Sequence, residues 1–294
     1  MTGASFTAPV EGGALAGTFW HADAPGPAVL GLSGITANHR SYAALAARLE
    51  QPLLAVDSRG RGRSRDLPPP FTLVQHADDA ARALDAAGLE RAVVVGHSMG
   101  AFVATRLAER HPDRVTALVL VDGGLPLRPV PATADLTPED LLGPAIERLR
   151  MTFDSRDAYR DFWREHPAFG PYWSAAVEDY VDYDLQEIDG ALRPSANPDA
   201  VLANLVELDG RDGYTEAVEA VERRGLPRVL LTSPRGLFDE PAPLYDAQWL
   251  AGWRERLPGL PVHEVAGTDH YTILLGSGVD AVARAVRSLL EVPA

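Results

Sequence analysis

Four apolar residues, Ala92-Val93-Val94-Val95, run directly into Gly96-His97-Ser98-Met99-Gly100, and a helical stretch from Ala101 to Arg110 follows at once. A buried strand that becomes a helix within five residues leaves its serine on a very sharp bend. The positions two before and two after the serine must then be nearly without side chains, and Gly96 and Gly100 meet that demand. The layout is a nucleophile elbow, which lifts the Ser98 hydroxyl above the carboxyl edge of a sheet. It therefore constrains the fold around it to strands and helices in alternation.

The rest of the chain supplies that alternation. Short apolar runs at Ala14 to Trp20, Ala28 to Ser33, Leu53 to Asp57, Ala92 to Gly96, Ala117 to Asp122, Val229 to Thr232 and Val262 to Ala266 read as strands. Amphipathic stretches at Tyr42 to Glu50, Thr72 to Ala87, Met99 to Arg110, Leu244 to Arg256 and Gly278 to Leu290 read as helices between them. This is the pattern of an α/β fold with a mostly parallel, doubly wound sheet. The glycine-rich lead-in to Ala14 to Trp20 marks that strand as an antiparallel edge.

The alternation breaks after Gly123 and resumes near Ala220, with no convincing strand between them. Residues 1–122 and 221–294 thus form the expected core, and 123–220 an inserted helical layer. Thr137-Pro138-Glu139-Asp140 has the N-cap, the early proline and the acidic first turn of a helix that would run to about Arg150. Ser155 to His166 and Tyr172 to Tyr183 read as further helices. Aromatic residues gather here, among them Trp163, Phe169, Trp173 and Tyr180. They either form the insertion's own small core or line a pocket beneath a lid.

Composition removes several function classes. A formal net charge of -14 repels phosphate backbones and anionic membranes, so neither nucleic acid nor membrane is an expected partner. There is no cysteine, which excludes disulfides, thiolate nucleophiles and zinc-thiolate sites. All basic residues are arginine, which excludes a Schiff-base lysine. Met1 to Phe6 has neither a basic nor an apolar signal region, and no run of 18 apolar residues occurs, so a cytoplasmic location is expected.

A serine hydroxyl needs a base in hydrogen-bond reach, and the base needs an orienting acid. His270, in Gly267-Thr268-Asp269-His270-Tyr271 beyond the last strand, is placed to reach Ser98 from a loop. Two carboxylates compete for the third role. Asp239 lies in the loop after Val229 to Thr232, and Asp122 ends the strand after the elbow helix. The reading favours Asp239, because its loop directly precedes the histidine strand in the chain. Asp122, followed by Gly123-Gly124, reads otherwise as a polar strand end bonded to loop amides. The backbone N–H groups of Met99, opening a helix, and of Ile35, after Gly34, are the candidate oxyanion donors.

With these residues in view the chain resembles the α/β-hydrolase superfamily over almost its full length. The resemblance rests on Gly96-His97-Ser98-Met99-Gly100, on Asp57-Ser58-Arg59-Gly60-Arg61-Gly62-Arg63-Ser64 as a D-x-R-G-x-G-x-S loop, and on the terminal aspartate-histidine loop. It implies that Arg59 is a packing residue and that the insertion is a cap. Two features depart from the pattern. Ser33-Gly34 replaces the usual His-Gly of the oxyanion loop, so its bracing must differ, and the loop to Asp239 runs about two residues long. Serine at position 98 argues against the branches that use a carboxylate nucleophile.

The expected function is cofactor-free and metal-free hydrolysis of an ester, lactone, thioester or amide of a small, largely apolar molecule. Carbon-carbon bond hydrolysis or acyl transfer on the same triad is the alternative chemistry, and a non-catalytic ligand receptor the alternative class.

Overall fold

The computed structural model of the chain describes residues 3–129 and 143–291. Six strands, β1 (Ala4–Val10), β2 (Gly13–Trp20), β3 (Ala28–Leu32), β4 (Leu53–Val56), β5 (Ala92–His97) and β6 (Val115–Val121), enter the main sheet before the insertion. Within the insertion β7 (Leu185–Ile188) and β8 (Ala191–Pro194) pair with each other, and afterwards β9 (Arg228–Thr232) and β10 (Val262–Glu264) complete the main sheet. The spatial order is β1-β2-β4-β3-β5-β6-β9-β10, parallel from β4 to β10 and antiparallel at β1-β2-β4.

The central strands β3, β4, β5 and β6 are apolar and buried almost throughout, as strands covered by helices on both faces must be. Alternation divides their side chains. Leu30, Leu32 and Val94 join a core with α2 (Leu73–Ala86) and α3 (Met99–Arg110), while Val29, Val93 and Val95 face α11 (Val279–Leu290) and the short α1 (Ala43–Ala46). Small residues let α3 lie close to the sheet: a Cβ at Gly100 would stand 1.8 Å from the Leu32 carbonyl oxygen.

The early strand expected at the edge is β2, and it is antiparallel but not terminal. β1 hairpins onto it through Glu11-Gly12 and takes the edge itself. The expected helix from Tyr42 to Glu50 shrinks to a 3₁₀ turn at His39–Tyr42 and the single turn of α1.

The segment between β6 and β9 carries α4 (Pro144–Arg150), α5 (Arg156–Arg164), α6 (Ala175–Asp184), the β7-β8 hairpin, α7 (Pro198–Leu205) and α8 (Tyr214–Arg223). The hairpin corrects the expectation of an all-helical insertion. Its two turn residues, Asp189 and Gly190, both have positive φ, as a tight hairpin loop requires. The N-cap read at Thr137 lies outside the described residues; α4 has its own start, with Gly143 at the N-cap and Pro144 as its first residue. Arg148 of α4 donates to Tyr159 of α5 and to Asp184 of α6, both buried, and Ser195 after β8 donates to Asp184 at 2.6 Å. This buried network ties four elements of the insertion together. Tyr214, Val218 and Val221 of α8 belong instead to the main core beside α3. After β9 come α9 (Ala247–Arg256), then β10, the single turn α10 (Thr272–Leu275), and α11.

Candidate active site

Ser98 sits between β5 and α3 with φ 53° and ψ -124°, a backbone conformation that side-chain-bearing residues rarely adopt. Such strain persists only where surroundings enforce it, and here they do. The Ser98 amide donates to the Val121 carbonyl at 2.9 Å, and the Ser98 carbonyl accepts from Ala101 at 3.0 Å. A Cβ at Gly96 would stand 2.4 Å from the Gly100 carbonyl oxygen and one at Gly100 1.8 Å from the Leu32 carbonyl oxygen, so the turn's own backbone excludes a side chain at the first glycine and the end of β3 excludes one at the second. Unlike the buried residues around it, Ser98 is partly exposed, and it lines a cavity of about 400 Å³ shared with His270.

His270 is buried, and its backbone is clamped. Its carbonyl accepts from His97 Nε2 at 2.7 Å. Preceding it, Asp269 Oδ1 accepts from the amides of Tyr271 and Thr272 at 2.8 and 2.9 Å, which fixes the turn into α10. The ring then donates from Nδ1 to Asp122 Oδ2 at 2.6 Å. Among the described residues no hydrogen bond engages Nε2.

The carboxylate on the imidazole is therefore Asp122, and the preference for Asp239 is corrected. Asp239 lies in a turn and pairs with Arg235 at 2.5 Å. Asp122 is fully buried at the carboxyl end of β6. Its amide donates to Leu231 of β9 at 2.7 Å, and its φ of 43° bends the chain sharply. The Ser233 hydroxyl donates to Oδ2 at 2.8 Å and the Ser233 amide to Oδ1 at 3.1 Å. The loop that was expected to supply the acid supplies its hydrogen-bond donors instead. The signal for Asp122 was present in Gly123: a Cβ there would stand 2.2 Å from the Ser98 carbonyl oxygen, so the chain after Asp122 passes directly against the elbow.

Ile35 and Met99, the expected oxyanion donors, flank Ser98. Met99 opens α3, where the first N–H groups have no intrahelical partner, and Ile35 lines the cavity beside Ser98. The altered bracing of the Ser33-Gly34 loop has two parts. Ser33 Oγ donates to the Asn38 carbonyl at 3.0 Å, and Arg61 Nε donates to the Ile35 carbonyl at 2.9 Å. Arg61 is fully buried, and its guanidinium also reaches the carbonyls of Arg59 at 3.0 Å and Ala200 of α7 at 3.3 Å. Burial pulls it down to about 9, which leaves it charged at neutral pH. Sequence reasoning missed this residue, reading only Arg59 as structural. Arg59 itself forms a fork on Asp79 at 3.0 and 3.1 Å.

The large cavity is walled by both layers. Phe102 comes from the core, and Leu127, Leu205 and Leu208 from the segment after β6. The rim carries two arginines, each paired with an aspartate: Arg128 with Asp246 at 2.8 Å and Arg211 with Asp209 at 2.6 Å. Trp163 and Tyr180 do not line this cavity. They are buried with Tyr159 and Phe169 in an aromatic cluster of the insertion that also takes in Ala37 and Leu275 of the core and against which Trp173 packs, and Trp163 and Phe169 have ring centroids 4.5 Å apart. Among the described residues no group of three or more histidine or acidic side chains could hold a metal ion. No helix among them is long and apolar enough to cross a membrane.

Comparison with known proteins places the fold in a family. The profile of the alpha/beta hydrolase fold family matches residues 27–183. Over 248 residues, 84% of this chain and 82% of the other, the chain is 29% identical to a 2-(acetamidomethylene)succinate hydrolase of Mesorhizobium japonicum. It is 49% identical to a putative carbamate hydrolase of Caulobacter vibrioides over 73 residues, a match that spans only 27% of that relative's length. Among solved structures, that of an E-2-(acetamidomethylene)succinate hydrolase superposes with a TM-score of 0.77 at 23% identity, covering 97% of this chain and 99% of the other.

Proposed function

This chain belongs to the alpha/beta hydrolase fold family, and on that premise we propose that it is a serine hydrolase working through an acyl-enzyme on Ser98. The observation that carries the reading is the 2.6 Å bond from His270 Nδ1 to the buried carboxylate of Asp122, made in a loop that shares its cavity with Ser98. A proton fixed on Nδ1 leaves Nε2 as a lone-pair base toward the cavity. Ser98 attacks the substrate carbonyl, His270 takes its proton and returns it to the leaving group, and Asp122 stabilises the imidazolium that forms. The amides of Ile35 and Met99 receive the oxyanion, with the N-terminal end of α3 adding its dipole. Arg61, bonded to the carbonyl of Ile35, holds that loop in place.

The substrate is a small, largely apolar ester, thioester, lactone or amide. A cavity of about 400 Å³ with aliphatic and aromatic walls supports this. Both rim arginines are already neutralised by aspartates, so the described wall offers little to a substrate bearing carboxylates. The names of the relatives keep amides among the candidates and add carbamates. The segment between β6 and β9 acts as a cap, contributing Leu127, Leu205 and Leu208 to specificity but no group to the chemistry. Assay of the purified protein against p-nitrophenyl esters of graded length, aryl amides and carbamates tests the reading. Turnover that disappears in Ser98→Ala, with unfolding temperature unchanged, is the expected result; no turnover on any of them by the wild type, or full turnover by the variant, would overturn it.

A further inference from the structure

A second, much smaller cavity, about 30 Å³, meets the large one at Ser98 and His270, with Ile35 and Leu237 shared between them. Its remaining wall includes Gly34, Thr36 and His97. That volume holds a water molecule or two but no carbon chain of a substrate. Polar neighbours are needed to retain water, and His97 supplies one. The ring is 3% exposed, and its Nε2 lies 2.7 Å from the His270 carbonyl, an oxygen that can only accept. Nε2 therefore carries the hydrogen. Burial, with the His270 imidazole adjacent, holds His97 down to about 3, so the ring is neutral and Nδ1 is a bare acceptor. No hydrogen bond joins Nδ1 to another described residue, and it faces the Gly34 wall, 3.6 Å from where a Cβ on Gly34 would lie.

We propose that this small cavity is the station of the water that hydrolyses the acyl-enzyme, and that His97 Nδ1 positions it by accepting one of its hydrogens. The inference deepens the serine-hydrolase reading and rests on it. The water oxygen bonds to the acyl carbon as one of its protons passes to His270 Nε2. The other O–H stays directed at His97 Nδ1. Collapse of the tetrahedral intermediate breaks the bond to Ser98 Oγ, which recovers its proton from His270, and the carboxylic acid leaves. The substrate's apolar part occupies the large cavity throughout, so water need not displace it. His97 thus has two separable duties: its Nε2–H braces the catalytic loop, and its Nδ1 serves only the second half-reaction.

Two substitutions divide these duties. His97→Gln places an amide N–H near the position of Nε2 but leaves no acceptor at that of Nδ1. His97→Asn does the reverse. Stopped-flow release of p-nitrophenolate from p-nitrophenyl butyrate separates acylation, seen as the burst, from deacylation, seen as the steady state. For His97→Gln the burst rate stays close to that of the wild type while the steady-state rate falls by roughly tenfold or more, the loss of one hydrogen bond to the reacting water. For His97→Asn both phases slow together. Equal slowing of both phases in His97→Gln, or no slowing of deacylation, would overturn the proposal. If either variant fails to fold, a crystal structure of the wild type decides: an ordered water within roughly 3.2 Å of His97 Nδ1 is expected, and a cavity without one refutes it. A wild type that releases no p-nitrophenolate at all would instead remove the hydrolase reading itself.

Discussion

Replacing Asp122 by asparagine changes one atom of the hydrogen-bond pattern, and the structure dictates which way the amide must lie. The Ser233 amide donates to Oδ1, so the amide oxygen has to remain there; turning the side chain over would set an NH₂ group against an N–H. Nδ2 then occupies the place of Oδ2, facing His270 Nδ1 at 2.6 Å and Ser233 Oγ at 2.8 Å. Ser233 adapts, because its hydroxyl already lies 2.9 Å from the Arg235 carbonyl and can donate there while accepting from Nδ2. His270 adapts only by becoming an acceptor at Nδ1, which moves its hydrogen to Nε2. The base is then protonated where it must take the serine proton. The expected loss in kcat is about 10⁴-fold, or about 5.5 kcal/mol of barrier, with little change in folding stability because the buried hydrogen bonds are all remade. Steady-state kinetics on a responsive p-nitrophenyl ester, with thermal unfolding as control, measures both. Asp239→Asn, which disturbs only the pair with Arg235, is expected to keep most of the activity. A folded Asp122→Asn enzyme with more than a tenth of wild-type turnover, or a larger loss in Asp239→Asn, would refute the reasoning.

Filling the large cavity from the insertion side with Leu208→Trp should lower kcat/KM for an octanoyl ester by roughly tenfold or more while sparing the acetyl ester; equal effects on both would contradict the lining described. Acid should weaken the fold through two buried histidines. Burial holds both His76 and His97 down to about 3, with Arg61 also acting on His76 and His270 on His97. Since the folded values lie below the unfolded one near 6.5, this stability is present above pH 6.5 and is lost as pH falls toward 3. Urea unfolding at pH 7 and pH 5 should show a loss of roughly 2 kcal/mol for each histidine, and equal or greater stability at pH 5 would be inconsistent with it. Chelation should leave turnover unchanged, since every proposed step uses serine, histidine, aspartate and backbone amides; activity lost to EDTA and restored by zinc or manganese would count against the mechanism.

What was legible in the sequence is what the chain encodes locally. Gly96 and Gly100 are read from the strand-turn-helix pattern alone, although only at Gly96 does the turn's own backbone exclude a side chain; at Gly100 the Leu32 carbonyl of β3 does so. The buried strands β3, β5 and β6 announce themselves by unbroken apolar runs, and α3 begins and ends where its pattern does. His270 was found through its place in the chain order. The acid was not, because Asp122 and Asp239 both follow strands of the same sheet, and only the path of the backbone decides which carboxylate turns inward. At Asp122 the close passage of Gly123 against Ser98 does so; at Asp239, whose φ is positive as well, the carboxylate turns to Arg235. The two available accounts of the insertion's aromatics were equally consistent with composition. Packing separates them, since Trp163 and Tyr180 bury one another's neighbours while aliphatic side chains face the cavity. Arg61 escaped notice because nothing local distinguishes a buried arginine that bonds carbonyls from an exposed one.

The central claim is that Ser98 is a nucleophile activated by the His270–Asp122 pair, and covalent labelling measures that most directly. Incubation with a fluorophosphonate, followed by intact-protein and peptide mass spectrometry, should give one adduct per chain, on Ser98. The adduct should be absent in Ser98→Ala and form far more slowly in Asp122→Asn. No adduct, an adduct on a different residue, or labelling of Asp122→Asn at the wild-type rate would contradict the account.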